Sequence, residues 1–190
     1  VEALKGDPLL GAVCGWRREA EPRKNVFHEI VDMEWQMGSV GLVDDFAGDV
    51  MIRVAAFDAA GGYYPGVMAG EDTEFSSRIR AAGYTIRRLD LRSTVHDINM
   101  ASVRQWWRRN VRSGLGYGIV AEGHRHTDRL FFAKAQRAAM WGFVVPAVAV
   151  IALPRTRWPV VAYLARIVVS STRAARSVDT GFRLRGFGEA

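Results

Sequence analysis

An α/β domain followed by membrane-associated helices is what the 190-residue sequence predicts, on three observations. Short apolar strand-like runs alternate with helical patterns over the first half, which is how α/β sheet proteins read. Charge is split: residues 1–100 hold 11 Lys and Arg against 16 Asp and Glu, a net −5, and residues 101–190 hold 15 against 4, a net +11. Finally, Ala138–Pro154, "AAMWGFVVPAVAVIALP", is 17 residues without a charge, at the lower limit of about 17–20 for a spanning helix.

In order along the chain, "VEALKGDP" reads as a helix end stopped by Gly6 and Pro8, and "LLGAVCGW" as a strand. A charged loop then turns into a helix with Val26, Phe27, Ile30, Met33 and Met37 on its expected buried face. "SVGLVDDFAGDVMIR" reads as loop and strand, and "VAAFDAA" as a short helix closed by Gly61 and Gly62. Phe75, Ile79 and Ala82 then mark one face of a helix whose first turn carries Glu71, Asp72 and Glu74. Gly83 ends it, and "YTIRRLDL" is a strand. "MASVRQWWRRNVRSGLGYG" is an amphipathic basic helix or helix pair ending in glycines, and no internal repeat occurs.

The basic half needs an anionic partner, either nucleic acid or a membrane. The uncharged run reads as part of a tight membrane hairpin or an interfacial pair of helices, with a buried core helix as the alternative. Its flanks favour the membrane: Lys134 and Arg137 precede it, Arg155 and Arg157 follow it, and Trp141 and Trp158 stand near its ends as interfacial residues do. A second apolar run, Trp158–Ser171, contains Arg166, which suits a side chain snorkelling from near a helix end. Basic flanks face the cytoplasm, so the N-terminal portion is expected there. The acidic first hundred residues argue against nucleic acid. One cysteine, Cys14, sits in an apolar strand and cannot build an internal disulfide framework. The chain opens on Val1 in what reads as mid-helix, so an N-terminally incomplete sequence is expected.

Two readings stand for the acids at Gly70–Glu74. Carboxylates in a first turn complement the helix dipole; alternatively Asp72, where the glycine-rich "GGYYPGVMAGED" opens a cleft, takes a proton from a substrate hydroxyl. His96, in "STVHDINM", lies just past a strand, where ligands gather in open α/β sheets. It reads either as a structural histidine oriented by Asp97 or as a ligand. His124 and His126 read as a solvated loop, and no histidine makes a zinc-type pair with Cys14. Arg104, Arg108 and Arg112, with Trp106 and Trp107, fit a nucleic-acid face, a membrane-surface helix or a clamp on a diphosphate.

In sequence these segments resemble family 2 glycosyltransferases of the GT-A type. The resemblance rests on "AGDVMIRVAAFDAAGGYYP", "GEDTEFSSRIRAAGY", "VHD" and "QWWRR" in that order, over about Val1 to Gly118. It implies a partial GT-A domain, Rossmann-like with a mixed sheet, over 1–118. A basic linker helix over 119–137, a membrane-associated hairpin over 138–171 and a basic tail over 172–190 are expected to follow. It implies an inverting enzyme that moves a sugar from a nucleotide-sugar donor to a hydroxyl acceptor, lipid-linked or saccharide, at the cytoplasmic face of the cell membrane. Asp72 is then the general base and Glu71 shapes the acceptor site. Gly48, Asp49, Gly70, Gln105, Trp106 and Arg108 bind substrate, and His96 joins a divalent cation, Mg or Mn. Gln105 and Arg108 match the Gln-x-x-Arg-Trp motif of processive members, but Arg109 stands in its last place, which favours single or short-chain transfer. The family's Asp-x-Asp, the main holder of the cation, does not occur in these residues, so the nucleotide-binding half is expected to be missing and this chain inactive alone. Membrane lipid is an expected partner and nucleic acid is not. The alternative is a noncatalytic membrane-associated binding module on the same scaffold.

Overall fold

A computed structural model describes residues 2–67 and 69–184. Four strands form one mixed sheet: β1 (Leu10–Glu19), β2 (Gly41–Val43), β3 (Val50–Ile52) and β4 (Thr85–His96), in the order β2-β4-β1-β3. The two long central strands, β1 and β4, run parallel, and the short edge strands are antiparallel to their neighbours. Helices α1 (Glu2–Gly6), α2 (Val26–Gln36), α3 (Val54–Ala59) and α4 (Glu71–Ala81) lie between strands or ahead of them. After β4 the chain is helical: α5 (Val103–Gly123), α6 (Arg129–Ala139), α7 (Val145–Ala152) and α8 (Trp158–Leu184).

Ala12 and Cys14 of β1, Ile86 of β4, Phe46, and Phe75 and Ile79 of α4 make the core that seats α4 on the sheet. Burial raises the Cys14 thiol's pKa, as an apolar strand position requires. Both central strands run beyond their apolar stretches. The polar ends Arg17–Glu19 and Thr94–His96 stay paired, Arg17 with Thr94 and Glu19 with His96, so His96 closes the strand instead of following it.

The α2 face differs from expectation. Val26 and Met37 are exposed, and the buried positions are His28, Val31 and Gln36. The polar end of β1 supplies the partners that make this affordable: His28 Nδ1 lies 2.9 Å from Glu19 Oε1, and Gln36 donates to the Arg17 carbonyl at 2.6 Å. In α4, Phe75 and Ile79 are buried as expected, while Ala82 falls at the C-cap and is exposed.

Helix α5 does not stop at its glycines but continues to Gly123. Helical glycine costs about 1 kcal/mol relative to alanine, and at Gly116 close approach offsets it. A Cβ there would collide with the Ala69 carbonyl, in the loop that delivers α4. The α5–α6 turn is pinned to α4 as well. Glu74 pairs with Arg78 at 2.6 Å and with His124 Nε2 at 3.1 Å, Ser77 donates to Asp128 at 2.8 Å, and Arg80 pairs with Asp128. His124 is therefore a largely buried structural residue, not a solvated one, because the buried Glu74 carboxylate needs its proton donor.

The uncharged run is continuous with α6. Pro146 has no N–H for the Gly142 carbonyl and would clash with it in a regular helix; the chain widens into a π-helical stretch at Met140–Val144 just before it. Arg129–Ala152 thus forms one helix of 24 residues, long and apolar enough to cross a membrane, with 6% of its most apolar window buried. A turn at residues 153–157 leads into α8, which packs back on α7. Arg166 lies about two turns inside the start of α8, and its guanidinium lies 3.5 Å from the Trp141 ring centre. The basic tail expected at 172–190 is helical to Leu184, and 185–190 lie outside the described residues.

Candidate active site

Gly70 caps α4 in the left-handed conformation, φ 80°, with no side chain closing the helix end. Asp72 does not turn back onto the amides of its own helix. Its Oδ1 accepts a hydrogen bond from the Tyr63 hydroxyl at 3.0 Å, and its carboxylate accepts another from the Gly48 N–H. Burial raises the Asp72 pKa; these two bonds pull it down, the Glu71 charge pushes it up, Arg17 pulls it down again, and the result stays above the ordinary value. Tyr63 is pushed far up in turn, first by burial and then by the Asp72 charge, so its phenol is a donor at any physiological pH.

Gly48 and Asp49 are successive residues with positive φ, 67° and 51°. Asp is one of the few side chains that tolerates this region, and at Gly48 a Cβ would run into the Arg17 guanidinium. The turn aims Asp49 at the carboxyl ends of the two parallel strands. Asp49 Oδ2 accepts from Arg17 Nε at 2.7 Å and from Thr94 Oγ1 at 2.6 Å, and His96 Nε2 is 3.9 Å away. Burial raises the Asp49 pKa, but the bonds from Thr94 and Arg17, the Arg17 charge and His96 outweigh it, and the group is held below the ordinary value. Arg17 also donates to the Ala47 carbonyl and lies 5.3 Å from the Trp35 ring, whose indole meets His96 edge-on at 5.9 Å.

One connected set therefore runs Tyr63, Asp72, Gly48, Asp49, Arg17, Thr94, His96, Trp35. Its two carboxylates have opposite shifts, a combination that suits one proton acceptor and one fixed anion. His96 Nε2, half exposed, and the ionised Asp49 are an imidazole and a carboxylate facing each other, donor types that suit a divalent ion such as Mn. Two protein donors fill only part of a coordination shell, so such an ion would draw the rest from a bound substrate or from further ligands.

Of the other expected site residues, Gly70 starts α4 and Glu71 is exposed beside Asp72. Gln105 is engaged in a reciprocal cap: Ser102 Oγ accepts from the Gln105 N–H at 3.3 Å, and Gln105 Oε1 accepts from the Ala101 N–H at 2.8 Å. Trp106 is half-buried with its Nε1 unpartnered among the described residues, and Arg108 is exposed. Its neighbour Arg109 pairs with Glu34 of α2 at 2.8 Å. No hydrogen bond, ion pair or ring contact among the described residues joins Gln105, Trp106 or Arg108 to the Asp72 set. Asp97 accepts from the Asn99 N–H at 2.8 Å in a local turn and does not orient His96.

Sequence reasoning missed Arg17, Thr94, Trp35 and Tyr63. Tyr63 had a signal in "GGYYP"; the others are ordinary strand and helix residues until the parallel pairing is known. Nor did it bring together Glu19, His28 and Asp97, whose ligand-type atoms all lie within 4.8 Å of one another. Glu19 there also accepts from the Ile98 N–H at 3.2 Å.

Fold and site together define a mixed α/β domain in which two carboxylates, Asp72 and Asp49, are linked through a loop near the carboxyl ends of two parallel strands. No family model and no curated protein matches the chain. Among solved structures it is similar to a mannosyltransferase from Pyrobaculum calidifontis in complex with GDP-Man and Mn2+, at 18% identity and a TM-score of 0.48. That match covers 95% of this chain and 52% of the other, so the chain spans about half the length of that structure.

Proposed function

We propose that the chain is part of an inverting glycosyltransferase acting at the cytoplasmic face of the cell membrane. Residues 1–118 are then the acceptor-side part of a GT-A domain, and the helical hairpin after it is the membrane attachment. The observation that supports this most is the direction of the Asp72 carboxylate. It is held by Tyr63 and Gly48, away from its own helix, with its basicity raised, over the loop that joins it to Asp49 and His96. The ordered motif series of the family 2 enzymes supports it independently.

In this mechanism an acceptor hydroxyl binds beside Asp72. Its oxygen attacks the anomeric carbon of a nucleotide sugar, its proton passes to the Asp72 carboxylate, and the bond to the diphosphate breaks with its electron pair going to the leaving oxygen. Attack opposite to the departing diphosphate inverts the anomeric centre. Tyr63 and the Gly48 N–H keep Asp72 in place before and after it takes the proton. Glu71 lies at the rim, where it contacts the acceptor. His96 and Asp49 would hold a divalent cation, Mg or Mn, which neutralises charge growing on the diphosphate; an Asp-x-Asp outside this sequence would complete its ligands. Arg108 serves the donor phosphates only if α5 moves, because it stands apart from the Asp72 set.

The membrane part of the proposal is supported by the 24-residue helix, nearly all of it unburied, and by Phe143, Ile151 and Trp158, each more than 70% exposed. The full protein, incubated with a panel of nucleotide sugars and hydroxyl acceptors in Mn or Mg, is expected to release nucleoside diphosphate and form a glycoside of inverted anomeric configuration by proton NMR. A product of retained configuration overturns the single-displacement mechanism. Absence of any transfer, with attachment to vesicles intact, favours a noncatalytic binding module.

A further inference from the structure

Outside the Asp72 set, a cavity of about 380 Å³ opens between the α6–π segment and α8. Its polar and aromatic walls are Lys134, Arg137 and Trp141 from the first helix and Tyr163, Arg166 and Ser170 from α8, and no carboxylate lines it among the described residues. Three basic residues thus line one space, and two of them are held by protein partners. The Arg166 guanidinium lies over the Trp141 ring, and the Tyr163 hydroxyl donates to the Trp141 carbonyl at 2.8 Å, which ties α8 to the π-helical stretch. Lys134 is tied to the partly exposed Asp44 at 3.2 Å. Arg137 projects beside it, exposed.

The cavity's place in the chain identifies the anion. It lies where the charged half of α6 passes into the uncharged run that begins at Ala138. On one side are the basic and acidic side chains of the α/β domain. On the other are the exposed apolar faces of the π-helical stretch, α7 and α8, including Phe143, Val148 and Leu164. A ligand that fills it needs a compact anionic head and apolar tails leaving along those faces. Guanidinium groups bind phosphate oxygens through paired N–H donors, and basic pockets between membrane helices on the cytoplasmic side take anionic headgroups.

We propose that this cavity binds the headgroup phosphate of an anionic phospholipid, fixing the hairpin's depth and orientation in the bilayer. The proposal rests on the membrane attachment proposed above and on no part of the catalytic reading. The test is cosedimentation of the full protein with vesicles of phosphatidylcholine alone and of phosphatidylcholine mixed with phosphatidylglycerol, at fixed ionic strength. Wild type is expected to bind both and to prefer the anionic vesicles. Arg137→Ala combined with Arg166→Ala should lower anionic-vesicle affinity by about fivefold for each cation removed and leave binding to neutral vesicles unchanged. Arg155→Ala combined with Arg157→Ala, at the far turn of the hairpin, removes the same charge but should keep the preference.

Equal loss in both double variants means diffuse attraction and overturns the cavity, as does a preference that survives in the Arg137/Arg166 variant. Equal wild-type binding to both vesicles overturns the cavity alone. No binding to either overturns the membrane attachment and this proposal together. Inorganic phosphate is expected not to erase the wild-type preference; if it does, the cavity takes free phosphate and the lipid assignment fails.

Discussion

Replacing Asp72 with Asn is expected to lower turnover in the full protein by about 100-fold or more, the range of general-base loss, while the protein stays folded. The amide keeps the shape: its oxygen can accept from the Gly48 N–H while its NH2 donates to the Tyr63 hydroxyl oxygen, so both contacts are preserved and only the proton acceptor goes. Linkage gives the sign of the stability change. Because burial raises the Asp72 pKa, the folded state holds that proton more tightly than the unfolded chain. Stability therefore falls as pH rises from the ordinary aspartate range through the raised value, and above it the ionised carboxylate is a net cost. An uncharged Asn escapes that cost. Thermal unfolding at neutral pH should thus show the variant at least as stable as wild type, and a variant that unfolds early would mean that Asp72 serves the fold. Near-normal turnover would remove Asp72 from the proposed role.

Phe75→Ala should have the largest effect on stability, about 3–5 kcal/mol for a fully buried aromatic, read by denaturant unfolding. Phe75 is completely buried one turn after Asp72 on α4. Its ring meets Phe46 at 6.4 Å, Phe57 at 5.3 Å and Tyr63 at 4.5 Å between centres. The same truncation removes the surface against which Tyr63 packs, so the phenol that holds Asp72 loses its position. Activity measured well below the new unfolding midpoint should fall too. A loss under about 1 kcal/mol would mean that the site refills, contrary to the tight packing expected of such cores.

The α/β alternation, most helix starts and the glycine-rich approach to Asp72 were legible in the sequence because they follow from apolar spacing and turn chemistry. Three things were not. The polar ends of β1 and β4 lie past the apolar runs that mark strands, yet Arg17, Thr94 and His96 are brought together only by that extra pairing. The buried face of α2 holds His28 and Gln36 because β1 offers Glu19 and the Arg17 carbonyl, partners too far along the chain for local patterning to reveal. Gly116 reads as a helix stop until the Ala69 backbone is seen against it. The Asp72 reading also had a bland competitor, a first-turn carboxylate serving the helix dipole. The choice between them turns on side-chain direction, which spacing does not encode.

The central claim is that the Asp72 carboxylate is an outward-facing base tuned by its two donors. Its most direct test is the pH dependence of kcat/KM in wild type and in Tyr63→Phe, since this ratio reports the free enzyme's essential base. The phenol lowers the Asp72 pKa against the rise caused by burial. Phe keeps the ring packing and removes only the hydroxyl, so the acidic limb should move to higher pH in the variant, with wild type already above an ordinary aspartate. An acidic limb that stays where it was, or moves to lower pH, would contradict the account.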